Sequence, residues 1–84
     1  MTALILPVIL DRKAATALAA QLLPHRGTAL QLDAQPVQRI GGLGVEVLLV
    51  ARKQWESDGV PFTISGWTLD AAATLQVMGA EVLQ

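Results

Sequence analysis

Gln38-Arg39-Ile40-Gly41-Gly42-Leu43-Gly44-Val45-Glu46-Val47-Leu48-Leu49 is a glycine-rich turn that follows a strand-like Leu30-Gln31-Leu32-Asp33 and runs straight into an apolar helix. Glycines at a strand-to-helix corner let the backbone take φ > 0 and let another surface approach closely. The first helical turn adds unpaired N–H groups and a partial positive charge. A phosphate or a protein loop suits that geometry. Gly41, Gly42, Leu43 and Gly44 bring no hydroxyl, thiol, imidazole or carboxylate, so the corner is expected to make contacts and not to perform chemistry.

Outward from the corner, strands and helices alternate. Leu4 to Leu10 reads as a strand, with Pro7 marking an edge position or an irregular start. Asp11 reads as an N-cap, worth about 1 kcal/mol, for an Ala/Leu helix from Arg12 to Leu23 that places Ala15, Leu18, Ala19 and Leu22 on one face. Pro24 and Gly27 close that helix, and Thr28 to Asp33 is a second strand. The helix after the corner runs from about Gly42 to Ser57 and stops at Asp58-Gly59. Val60 to Ser65 is a third strand, and a last helix spans about Leu69 to Met78. The order βαβαβα predicts a small α/β domain, with a mixed, mainly parallel sheet covered by helices on at least one side.

Composition narrows the function. The chain has 84 residues, room for a single domain over 1–84 with one core. It is 52% hydrophobic and only 15% charged, against about 25% charged in an average soluble domain, so apolar surface is expected to remain for a partner. A net charge of −1 and dispersed Lys and Arg argue against nucleic acid. There is no cysteine, which removes disulfides, thiol chemistry and the usual zinc sites and fits a reducing cytoplasm. No metal or cofactor is expected. The apolar Thr2 to Leu10 lacks a preceding basic segment and is rich in β-branched residues, unlike a signal peptide. No apolar run approaches the roughly 20 residues of a membrane span, and a soluble protein is expected.

Taken together, Leu10-Asp11 before an Ala/Leu helix, the strand ending Leu32-Asp33, the turn Val37-x-x-Ile40-Gly41-Gly42-Leu43-Gly44 and the closing Leu75-Gln76-Val77-Met78-Gly79 resemble a STAS domain. This is the family of sulfate-transporter C-termini and anti-sigma-factor antagonists, and the resemblance covers nearly the whole chain. The family's corner is usually Asp-Ser-Ser-Gly or Asp-Thr-Gly-Gly, and in the antagonist branch a partner kinase phosphorylates its first hydroxyl residue. Here Gly41 stands at the Asp, Gly42 at the phosphorylated residue and Leu43 at the following Ser, with Gly44 alone retained. The usual phosphate switch is therefore not expected at this turn. The family also commonly has a strand before Leu4, and Val8 occupies a frequent glycine position, which implies an open sheet edge.

On the helix after the corner, Leu43, Val47, Leu48, Val50, Ala51 and Trp55 read as the inward arc, and Glu46, Arg52, Lys53 and Glu56 as the outward one. Val45 and Leu49 fall among those outward charges, as a helix in an interface would need. The expected partner-binding set is Arg39, Gly41, Gly42, Leu43, Gly44, Val45, Glu46, Leu49, Arg52 and Lys53. His25, the lone histidine, follows Pro24 at a helix end and has no nucleophile tied to it by spacing. Asp33 could meet a ligand at a strand's carboxyl end or hold the next turn. Trp55 reads as core, and Trp67 as either a lid on the core or a contact anchor.

The resemblance implies a noncatalytic regulatory module that docks its turn and following helix on a protein such as an anti-sigma factor or kinase. The alternatives are an accessory subunit of a lipid-transport ATP-binding cassette complex, meeting its ATPase, or a chemotaxis or two-component accessory. An enzyme or nucleotide-binding domain lacks support, since there is no Walker lysine, no Gly-x-Gly-x-x-Gly and no acid–base cluster. The open first strand and the exposed helix leave a homodimer within reach.

Overall fold

The computed structural model describes residues 2–84, the Thr2 side chain excepted. The elements are β1 (Thr2–Ile5), β2 (Ile9–Leu10), α1 (Arg12–Leu22), β3 (Leu30–Asp33), β4 (Arg39–Ile40), α2 (Gly42–Asp58), β5 (Phe62–Ser65) and α3 (Leu69–Val77), with 3-10 turns at Leu23–His25 and Glu81–Leu83. Three strands form a parallel sheet in the order β1-β3-β5, in which Leu32 lies between Leu4 and Ile64. This is the expected small α/β architecture.

The first strand departs from expectation. Leu4 to Leu10 is two strands, because the ladder changes partner at Pro7, which has no N–H to donate. The Leu6 N–H still donates to the Asp33 carbonyl at 2.9 Å, but the Val8 carbonyl accepts from the Gln38 and Arg39 N–H groups at 2.7 and 3.2 Å. β2 thus pairs with β4, Ile9 opposite Arg39 and Leu10 opposite Ile40. β1 and β5 are the two edge strands of the three-stranded sheet, and Val8 lies on neither.

All helices cover one face of the sheet. Leu6, Leu30 and Leu32 are buried in a core that includes Leu18, Leu22, Leu48, Trp55 and Leu75. The alternate residues Ala3, Ile5, Gln31, Thr63 and Ser65 are exposed on the other face. Trp55 is core, as expected: its indole N–H donates to the Thr28 carbonyl at 2.9 Å and its ring meets Phe62 at 5.5 Å between centroids. Trp67 is a lid, half-buried, its N–H donating to the Leu83 carbonyl at 2.7 Å. Asp33 holds the following turn, its Oδ1 accepting from the Gln35 N–H at 2.9 Å.

Helix ends follow local chemistry. Asp11 caps α1, its Oδ1 accepting from the Ala14 N–H at 2.9 Å, and the Thr68 hydroxyl accepts from Ala71 N–H at 3.2 Å to start α3. The start of α2, capped by Gly41, has no side-chain acceptor. Its end has Gly59 at φ 73°, the left-handed turn that glycine adopts without a Cβ clash. No helix of the described residues is long and apolar enough to cross a membrane.

Candidate docking site at the glycine corner and the α1–α2 groove

The corner is held by close backbone contact. The Gly41 N–H donates to the Leu10 carbonyl at 3.1 Å, and the Val45 N–H donates to Gly41 O at 3.1 Å, opening the helix. None of Gly41, Gly42 and Gly44 has positive φ, so conformational freedom is not what this corner needs. Gly44 is required by space: a Cβ there would lie 2.8 Å from Leu10 Cγ and 2.9 Å from Leu10 O. At Gly42 a Cβ would meet nothing within 4 Å. Gly42, the position expected to match the family's phosphorylated residue, is thus open and exposed, and has no side-chain oxygen.

Gly44 also fixes the rotation of α2. With that residue pressed on β2, the buried arc is Gly44, Val45, Leu48, Ala51 and Trp55. Val45, expected outside, is 6% exposed, and Leu49 is half-buried against the core. Leu43 and Val50, expected inside, are 38% and 63% exposed. The inward arc is therefore rotated toward Val45, and the outward pair of aliphatics is Leu43 and Val50.

These exposed residues border a groove of about 370 Å³ between α1 and α2. Leu22 and Leu23 stand on one wall and Leu43, Val47 and Val50 on the other, with Trp55 lining it as well. Ala19, expected on the buried face of α1, is exposed and lines the same groove. Of the expected contact residues, Leu43 and Glu46 reach the groove, while Arg39, Gly41 and Gly42 lie exposed at the corner beside it. Arg52 sits on the other flank of α2, near Phe62 and Leu83, with Nη1 3.7 Å from Glu56 Oε2. Lys53 is exposed and lines neither depression. Leu23 and Val50 were the residues that sequence patterning missed.

One ion pair closes an end of the groove. Arg26 donates through Nη2 to Asp58 Oδ1 at 3.0 Å and through Nε to Oδ2 at 3.2 Å, and Gln54 Nε2 donates to the same Oδ1 at 3.3 Å. The hydrogen bond from Arg26, aided by Gln54 and the guanidinium charge, holds the Asp58 carboxyl below its ordinary pKa. The same bond raises that of Arg26. An acid in the last turn of a helix faces the negative end of the dipole, and Arg26 offsets it. Among the described residues no polar or charged side chain is buried, and no group of three His, Asp or Glu could hold a metal ion. His25 is half-exposed in the 3-10 turn, where its carbonyl accepts from the Thr28 hydroxyl at 2.6 Å.

No curated protein matches the sequence. Residues 3–84 match the sequence family described as Mlab, STAS domain, which covers the α/β core, the glycine corner and both groove helices. The chain belongs to the STAS domain family, whose members are generally noncatalytic and act through protein–protein contacts.

Proposed function

We propose that this chain is a noncatalytic regulatory module that docks the Gly41–Gly44 corner and the adjoining exposed edge of α2 on a protein partner in the cytoplasm. The observation that carries this reading is the apolar surface of Leu43 and Val50 on α2, with Leu23 at the far end of the groove, exposed at 38%, 63% and 65%, which leads away from a corner without reactive side chains. Within the expected contact set, Arg39, Gly41, Gly42, Leu43 and Glu46 supply accessible surface, and Lys53 extends it along α2. Gly44 and Val45 are buried and support the corner from below.

An anti-sigma factor or kinase is the first partner class. A subunit role in a lipid-transport ATP-binding cassette complex is the second reading, favoured by Gly42 and Leu43, which have no oxygen for a phosphate switch: a standing structural contact needs none. Isothermal titration against the partner captured from the native host tests the face. Val50→Asp places a charge in a desolvated contact and should weaken binding by about 2 kcal/mol or more, with the melting curve nearly unchanged because Val50 is exposed. Unchanged affinity in the folded variant refutes the proposed face. Leu49→Asp is unsuitable for this purpose, since Leu49 packs on the core.

A further inference from the structure

The α1–α2 groove combines apolar walls with one uncompensated charge. At its Arg26 end the polar groups satisfy one another, since Asp58 accepts from both Arg26 and Gln54. Glu46 differs. It is exposed and lines the groove between Leu43 and Val50 in sequence, and among the described residues it forms no ion pair. We propose that the groove seats an amphipathic helix of the partner protein, with an apolar stripe filling the trough and a Lys or Arg meeting Glu46. This rests on the protein-interaction reading above and adds the chemistry of the partner segment.

Shape and charge select that occupant. The α2 wall runs from Leu43 to Gln54, about 17 Å at roughly 1.5 Å per residue, which is the length of about three helical turns. An added strand would need an unpaired backbone edge, and the walls are helical, α1 with the 3-10 turn at Leu23–His25 on one side and α2 on the other, with their backbone bonds made internally. A helix needs only side-chain ridges to pack on α1 and α2. The sign follows from Glu46, since an acidic stripe would bring like charges together. A second copy fits poorly through its exposed α3: Leu69 and Val77 are 90% and 89% exposed, yet the charge that helix carries is Asp70.

The test is selection of displayed helical peptides of about three turns, with randomised faces, on the whole chain, with counter-selection on Val50→Asp. Winners should carry apolar residues at i, i+3 or i+4, and i+7, plus Lys or Arg at one position, and should shift the amide resonances of Leu22, Val47 and Val50. Exchanging that basic residue for Glu should weaken binding about fivefold. Selection on Glu46→Lys should return Asp or Glu at the same position. No enriched helix, a charge preference that does not reverse with Glu46→Lys, or resonance shifts away from the groove overturns the proposal. The native partner titrated in parallel separates the two readings: weakened binding by Val50→Asp without charge reversal among the peptides removes the basic helix and leaves the interaction module standing.

Discussion

Replacing Gly44 by alanine sets the contact between α2 and β2 against helix propensity. The new Cβ would stand 2.8 Å from Leu10 Cγ, 3.0 Å from Cδ2 and 2.9 Å from the Leu10 carbonyl oxygen. A side chain could rotate away, but the oxygen cannot, because it also accepts from the Gly41 N–H at 3.1 Å. The helix must therefore back off the strand. Overpacking of this kind costs about 1–3 kcal/mol, while alanine in a helix recovers about 0.5–1 kcal/mol over glycine. The net is a destabilisation of up to about 2.5 kcal/mol, centred on roughly 1.3 kcal/mol. Gly42→Ala has the same composition and meets nothing within 4 Å, so only the propensity gain remains, smaller at the first helical position. At about 4–8 °C per kcal/mol for a domain of this size, the central value puts Gly44→Ala about 5–10 °C below Gly42→Ala. Thermal and urea melts of the two variants are the assay. A Gly44→Ala protein that melts with or above Gly42→Ala would refute the steric account of the corner.

Gly42→Ser should fold like the wild type, given the open space at Gly42, and bind the partner unchanged until a kinase adds about −1.5 to −2 charge; mass spectrometry of the wild type under that kinase should give no phosphopeptide from 41–44. Asp58 titrates below its ordinary pKa because Arg26 hydrogen-bonds its carboxylate, so the pair's stabilisation is full above the unfolded carboxyl pKa of about 4 and is lost as pH falls through the lower folded value. Asp58→Asn should accordingly melt below wild type at pH 7 and approach it near pH 3, and an equal gap at both pH values contradicts the assignment. Sedimentation at high concentration should show a dimer joined at the β1 edge, abolished by Ile5→Lys, whose position is 72% exposed, and retained in Val50→Asp; a wild-type monomer, or loss only in Val50→Asp, removes the edge dimer.

The alternation of strand and helix was legible because its signals are local. The β-branched Leu4–Ile9 region, the Ala-rich segment after Asp11 and the turn after Asp33 each announce one conformation, and Asp11, Asp33 and Trp55 took the structural roles their contexts suggested. The pairing of Ile9-Leu10 with Arg39-Ile40 was not legible, since a two-residue bridge has no period to detect. The rotation of α2 was misread for a different reason. Leu43, Val45, Val47, Leu48, Leu49, Val50 and Ala51 put apolar groups nearly all round its first turns, so hydrophobicity selects no arc. Gly44 selects it, and a glycine carries no weight in a hydrophobic pattern although here it is the point of closest approach. The groove was partly hidden too, because Leu23 lies beyond the end of α1 in a turn where helical spacing no longer applies.

The sheet runs β1-β3-β5 in the order of the chain. Doubly wound α/β domains hold nucleotides and other small ligands in the cleft that opens where consecutive strands depart in opposite directions from a central pair. These strands advance one way only, each placed beyond the last, and no such parting occurs among them. The proposed docking surface is accordingly an outer relief of corner and helices and not a cleft at strand ends, and on that reading selectivity would come from the contour and charge of the partner segment that meets it.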